Sequence, residues 1–182
     1  MTKIEVGIVG ISPLLMHRFS EEDKEQVKSG TSSSISNRNG EQDAERAAYR
    51  LPTGELYQPA DHIERAFVIA AGLHKIGRRS ARSVAGAAVC ITPREIPHGT
   101  REYVIDARRV VIPSTKGAVI RHRPRLDSWR FSFTLELDEE LIQAKLARKI
   151  LEDAGKKIGI GDFRPQKGGP FGRFLVTAWA EK

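Results

Sequence analysis

A chain of 182 residues suits one domain, and 40% hydrophobic with 7% aromatic side chains supplies a genuine core, which excludes wholesale disorder and fibrous or collagen-like chains. Lysine and arginine number 30 against 23 acidic residues, and the resulting +7 makes a polyanion, nucleic acid above all, the first partner class to test. A single cysteine, Cys90, excludes an intramolecular disulfide and a cysteine-built zinc site, and fits a reducing, cytoplasmic setting.

Ile4, Val6 and Ile8 alternate with Glu5, Gly7 and Val9, the period-2 pattern of a strand with one buried face, so the N-terminus reads as an opening strand rather than a signal peptide or a membrane span. Residues 20–46 hold few apolar side chains and read as a flexible polar loop with room for short helices at its ends. Tyr49 to Tyr57 suggests two short extended arms around a turn at Thr53-Gly54. Asp61 with Glu64 three residues on makes a capping box, and Ile63, Phe67, Ala70 and Ala71 recur at helical spacing, which predicts a helix over about 61–75.

Val89 to Thr92 reads as a buried strand stopped by Pro93. Tyr103–Asp106 and Arg109–Ile112 are β-branched and strand-like; with the turn signal Ser114-Thr115-Lys116-Gly117 they make residues 108–123 a candidate arginine-bearing hairpin within a basic insertion over 93–127. Ser128 to Leu137 is the clearest strand, with Trp129, Phe131, Phe133, Leu135 and Leu137 on one face. Asp138 is placed to cap a helix over about 139–154 that Gly155 would stop, and Arg173 to Trp179 alternates as a last strand.

The order strand, helix, strand, strand, helix, strand is the βαββαβ arrangement of the ferredoxin-like or RRM-like α+β fold, one domain over residues 1–182 with the basic hairpin inserted. Such a fold packs both helices on one sheet face and leaves the other free for a ligand, as RNA-recognition modules of this shape use it.

The charge is concentrated. Residues 76–130 hold 12 basic and 4 acidic side chains, eleven of the cations being arginine, while residues 1–75 hold 9 and 11 and residues 131–182 hold 9 and 8. Arginine's planar fork binds phosphate bidentately and stacks on bases, so this bias favours nucleic acid over simple solubility. Near the C-terminus, residues 157–173 bring Gly159, Gly161, Gly168, Gly169 and Gly172 together with Arg164, Lys167 and Arg173. Glycines allow backbone N–H groups to approach a phosphate closely, or serve turns that need positive φ. The loop is neither a Walker A motif nor a dinucleotide fingerprint. The candidate nucleic-acid contacts are therefore Arg78, Arg79, Arg82, Arg108, Arg109, Lys116, Arg121, Arg123, Arg125, Arg164, Lys167 and Arg173, with the five loop glycines.

This loop, entering the final strand at Arg173 after the last helix of an inferred ferredoxin-like domain, resembles that of the RAMP superfamily, the repeat-associated proteins of CRISPR systems. The resemblance implies a backbone-like subunit that binds guide RNA, oligomerises along it, joins other subunits of a ribonucleoprotein complex in antiviral defence, and carries a β-hairpin thumb where residues 93–127 fall. The chain is short for such a subunit and Asp162-Phe163-Arg164-Pro165 departs from the named patterns, which leaves open a divergent phage or mobile-element relative with a structural or recombination-associated, nucleic-acid-binding role.

Nucleases of that superfamily use a histidine as general acid or base, which makes His17 and His122 candidates, the latter among cations that favour its neutral form. Asp106, the one acid within the arginine-rich hairpin, is a third candidate, although an arginine–aspartate pair is the simpler reading. With no HExxH, GxSxG or carboxylate cluster, the sequence offers no positive argument for catalysis, and it calls for no metal and no cofactor. The expectation is a non-catalytic protein that binds single-stranded RNA or DNA, with a metal-independent endoribonuclease of the same fold as the alternative. Reversing Arg121 and Arg123 to glutamate is expected to weaken binding without unfolding.

Overall fold

The computed structural model describes residues 1–19, 39–111 and 118–182. In chain order the strands and helices are β1 (Thr2–Gly10), β2 (Leu14–Leu15), α1 (Gly40–Ala47), β3 (Tyr57–Pro59), α2 (Ala60–Ala71), β4 (Lys75–Ile76), β5 (Arg79–Ser80), α3 (Arg82–Ala88), β6 (Val89–Thr92), β7 (Glu95–Pro97), β8 (Val104–Val111), β9 (Ala118–Leu126), β10 (Arg130–Leu137), α4 (Ala144–Asp153) and β11 (Phe174–Glu181). Among the described residues no helix is long and apolar enough to cross a membrane.

The core is a ferredoxin-like α+β unit. Its four-stranded antiparallel sheet runs β11-β1-β10-β6, with α2 and α4 supplying the two crossovers. Register follows the alternation: Ile4, Val6 and Ile8 lie opposite Leu135, Phe133 and Phe131, so all six project to the helix side, where Phe67, Ile150 and Leu151 meet them and all nine are buried. Trp129 closes the end of this core; its indole N–H donates to the Ser12 carbonyl at 2.8 Å and its ring stacks on Phe131 with centroids 5.7 Å apart.

The opposite sheet face is open, as the fold class implies, yet β10 presents Arg130, Ser132, Thr134 and Glu136 there, while the aromatic rings of the strands turn to the helices. It therefore lacks the stacking platform on which RRM-type recognition depends.

Several boundaries differ from the sequence reading, each for a local reason. Helix α2 starts one residue before Asp61, with Pro59 at its N-cap and no side-chain cap, because Glu64 is recruited elsewhere: it accepts the backbone N–H of Ile91 at 2.9 Å and pairs with Arg94. Asp138 caps a turn through the Glu140 N–H at 3.0 Å, and α4 begins only at Ala144. Gly155 does not stop that helix; the chain continues as a π turn, Ala154–Ile158, because a residue without a side chain lets this turn close onto Phe174. The stretch after α2 forms the small hairpin β4–β5 and helix α3.

Residues 20–38 of the expected loop lie outside the described residues; residues 40–46 belong to α1, whose Asn39 cap accepts the Glu41 N–H and which buries Ala44 and Ala47. The basic hairpin is β8 and β9, pairing Val104 with Arg125 through Val111 with Ala118, and β2 extends it through Leu14 and Leu15. Its tip, with Lys116, lies outside the described residues. Residues 95–97 pair with β3 rather than with the hairpin.

Candidate nucleic-acid interface

Two of the sequence's basic features meet on one short segment. Residues 11–16, leaving β1, carry the hairpin on one side, where Met16 N–H donates to the Pro124 carbonyl at 2.9 Å. On the other side they carry the glycine-rich loop, since Asp162 N–H donates to the Leu15 carbonyl and Gly172 N–H to the Pro13 carbonyl, each at 2.8 Å. His17 and Arg18 follow directly and stand between the two.

The hairpin has two unlike faces. Because paired positions share a face, Asp106 with Arg123, Arg108 with Arg121, and Val104 with Arg125 put four arginines on the side toward the loop. Arg109 shares the other face with Ile120, and His122 on that face packs against Gly40 of α1 with its Nδ1 buried and unpartnered. Arg78, Arg79 and Arg82 are exposed but sit on β4–β5 and α3, which pack beside α2 and lead into β6, so the structure does not gather them with the hairpin.

Three of the four inner arginines already hold carboxylates. Asp106 is 5% exposed and takes Arg108 at 2.6 Å and Arg125 at 3.2 Å; Arg125 also meets Asp127 at 2.6 Å. Burial pushes the Asp106 carboxyl up, but the hydrogen bonds and charge of the two arginines outweigh this and hold it below the usual aspartate value. An acid so clamped and ionised is an ion-pair anchor rather than a proton-transfer group. The Arg108 guanidinium also lies 4.7 Å from the centre of the Phe171 ring, a cation–π contact tying hairpin to loop. Arg121 has no carboxylate partner among the described residues.

Asp162 is the hub of the loop. It pairs with Arg123 at 2.7 Å and with His17 Nδ1 at 3.4 Å. Burial raises its pKa, and the His17 hydrogen bond with the Arg123 charge reverses that and lowers it. The Nε of Arg123 is buried without a partner.

The glycines shape this loop rather than present amides to solvent. Gly159, Gly168, Gly169 and Gly172 each donate their N–H to a backbone carbonyl, of Ala154, Pro165, Arg164 and Pro13 respectively, so these four groups are not free to cradle a phosphate. Gly172 shows why glycine is needed: its φ is +71° and a Cβ there would collide with the Ile160 carbonyl oxygen. Phe163 adopts φ +45°, a left-handed conformation costly for a bulky residue, and it is 39% exposed beside Phe171. Of the loop cations, Arg164 is held by the Gly161 carbonyl at 2.9 Å and by Gln166, while Lys167 and Arg173 are exposed and have no carboxylate partner among the described residues.

A cavity of about 180 Å³ opens between α2 and the loop, lined by His17, His62, Arg65, Asp162 and Arg164. The Gln58 amide donates to His62 Nδ1 at 2.8 Å, and burial, then the Arg164 charge, lowers the His62 pKa. A smaller neighbouring cavity is lined by Arg18, Asp43, Arg46, Arg121 and Arg123, four cations to one acid, and His17 lines both. Arg65 and His62, three residues apart on one face of α2, were not singled out by the sequence; that spacing, with a charge beside an apolar stripe, is the signal that could have found them. Among the described residues no group of three or more His, Cys, Asp or Glu is placed to hold a metal ion.

These elements define an α+β protein with a ferredoxin-like core and an arginine-bearing hairpin closed against a glycine-rich loop. No protein-family model matches the chain, and no curated protein does. Among solved structures it is similar to a chain of the cryo-EM structure of the Type III-B Cmr-beta bound to cognate target RNA, with a TM-score of 0.54 at 14% identity. The match covers 99% of this chain and 60% of that one, and at this identity it is a likeness of fold.

Proposed function

We propose that the protein binds single-stranded nucleic acid, guide RNA in the first instance, as a non-catalytic subunit that assembles along the strand with copies of itself and other subunits of a ribonucleoprotein complex. The observation that carries this reading is the cationic track from Arg65 and Arg164, past His17, to Arg18 and Arg121, with two cavities sharing His17 along it. Charge supplied by side chains of a helix, a strand and the two segments between them positions a sugar-phosphate backbone without reading its sequence. The fold likeness to a chain from an RNA-bound complex is consistent with it.

The test is fluorescence anisotropy with a single-stranded RNA and the DNA of the same sequence. Three or four phosphate contacts give a slope of log affinity on log salt of about −2 to −3. Affinity unchanged between about 50 and 200 mM salt overturns the reading. Arg65→Glu with Arg121→Glu, neither of which breaks an ion pair in the described structure, lowers affinity at least tenfold and leaves thermal unfolding unchanged.

One observation favours a second reading, a metal-independent endoribonuclease: His17 and Asp162 form an imidazole–carboxylate pair at the mouth of the cavity. Labelled RNA incubated in EDTA separates the two. Cleavage that His17→Ala abolishes supports the nuclease, and intact RNA supports the binding subunit.

A further inference from the structure

We infer that the cavity between α2 and the glycine-rich loop takes a phosphate monoester, the phosphorylated end of a nucleic-acid strand. This rests on the strand binding proposed above and names the part of the strand that the cavity holds. Small-molecule sites run to roughly 300–1,000 Å³, so a cavity of about 180 Å³ admits a phosphoryl group but not the nucleoside attached to it. A phosphate in mid-strand carries a nucleoside on both sides, whereas a terminal one enters with its free oxygens leading.

The donors come from both walls. Gly161 lines the cavity, and of the five loop glycines it alone has an N–H that donates to no group among the described residues. Its φ is +75° and the Leu15 carbonyl oxygen lies 2.6 Å from where a Cβ would stand, so this stretch of backbone stays bare. On α2, His62 is oriented by a buried group: the amide of Gln58, which is 2% exposed, donates to His62 Nδ1 at 2.8 Å and so leaves the ring's own proton on Nε2. Tyr49 meets the same ring edge-on with centroids 5.5 Å apart. Burial and then the Arg164 charge lower the His62 pKa, so at neutral pH the ring is an uncharged donor.

The charge selects among phosphates. Arg164 is fixed by two neutral acceptors, the Gly161 carbonyl and Gln166 Oε1, each at 2.9 Å, so its guanidinium is oriented while its charge stays uncompensated. Arg65, exposed on α2, has no carboxylate partner among the described residues. The acid at the cavity, Asp162, is met by Arg123 from the hairpin at 2.7 Å and by His17 at 3.4 Å, which leaves Arg65 and Arg164 as the cationic excess. A phosphate monoester bears about −1.5 to −2 at pH 7 and three acceptor oxygens, which matches two arginines with a backbone amide and an imidazole N–H. A diester within the strand offers a single charge and one oxygen fewer.

The experiment is fluorescence anisotropy of the full chain with one single-stranded RNA sequence, labelled internally, in three forms: 5′-phosphate, 3′-phosphate, and hydroxyl at both ends. One phosphorylated form is expected to bind at least tenfold more tightly than the hydroxyl form, and which one it is identifies the end held. Arg65→Gln brings that ratio close to one, whereas Arg121→Glu, on the neighbouring cavity, weakens all forms alike and leaves the ratio as in the parent. Equal, salt-dependent binding of the three forms overturns the terminal phosphate and leaves strand binding standing, while no binding of any form overturns both. A ratio that Arg65→Gln leaves unchanged in a folded protein also overturns the proposal. So does a phosphoserine peptide of otherwise neutral sequence that binds as tightly as the phosphorylated strand, because the cavity would then serve a protein partner.

Discussion

The two main sheets of this protein use the same alternation to opposite ends. In the four-stranded sheet the inward positions are Trp129, Phe131, Phe133 and Leu135, and the face coheres by burying apolar surface. In the β2–β9–β8 sheet the positions turned toward the glycine-rich loop are Arg108, Arg121, Arg123 and Arg125, and the face coheres through Asp106, Asp127, Asp162 and the Phe171 ring. The first face is indifferent to salt and has one partner, the helices. The second is held by charge-assisted pairs of the kind that arginine also makes with phosphate, and such pairs weaken with salt where they are exposed. Four arginines against three aspartates leave this face with a positive excess.

The largest effect is expected in the apolar sheet. Trp129→Ala removes a ring that is 4% exposed, its hydrogen bond to Ser12 and its stacking on Phe131, and should cost about 3–5 kcal/mol in urea unfolding. The loss should be nearly the same at low and high salt. A strongly salt-dependent loss would mean that the two sheets are not distinct in what holds them.

Arg123→Glu probes the other sheet with a comparable effect of electrostatic origin. The Arg123 side chain is 10% exposed and bonded to Asp162, itself 32% exposed, so a glutamate there sets two carboxylates against each other in a partly shielded site, at a cost of about 3 kcal/mol. This corrects the expectation that reversing Arg121 and Arg123 together weakens binding without unfolding: Arg121 can be reversed, but Arg123 is structural. An Arg123→Glu protein as stable as the parent would break the contrast.

The element order was legible because strands such as Trp129–Leu137 and Ile4–Ile8 carry unambiguous alternation, and a βαββαβ order admits few sheet topologies. Helix ends were not. Asp61 with Glu64 is a sound capping box locally, yet Arg94 and the Ile91 N–H, some 30 residues on, claim the Glu64 carboxylate, and no local pattern carries that competition. In the candidate site, the cations of the hairpin and the loop were visible as types, but which were free was not. Arg108, Arg123 and Arg125 are paired through aspartates whose partners depend on hairpin register and on the fold of the loop, whereas Arg65 joins the track only because α2 passes over residues 160–164.

A smaller effect separates the sheet's edge from its centre by pH. With its folded pKa depressed to about 4 from 6.5, His98 stays neutral in the native state while the unfolded chain takes up a proton. Stability from this source is complete above about pH 6.5 and is lost as pH falls toward 4, amounting to about 2–3 kcal/mol between pH 7 and pH 4.5. His98→Phe should flatten that window in denaturant titrations at the two pH values. An unchanged slope would show that other groups set it.

The smallest effect on stability is also the sharpest test of displacement. Asp162→Asn keeps the side chain's shape but removes the charge facing Arg123 and His17, and at a site 32% exposed the cost should be about 1 kcal/mol at pH 7. Because the Asp162 pKa is lowered from 3.8, its contribution is present above that pH and fades as pH falls below it, so the variant and the parent should converge in stability under strong acid. If Asp162 holds the place of a phosphate, oligonucleotide affinity rises severalfold in the variant at low salt even as the fold weakens. A fall in affinity would mean instead that Asp162 positions Arg123 for the strand, and that the carboxylates of this face are scaffolding rather than competitors.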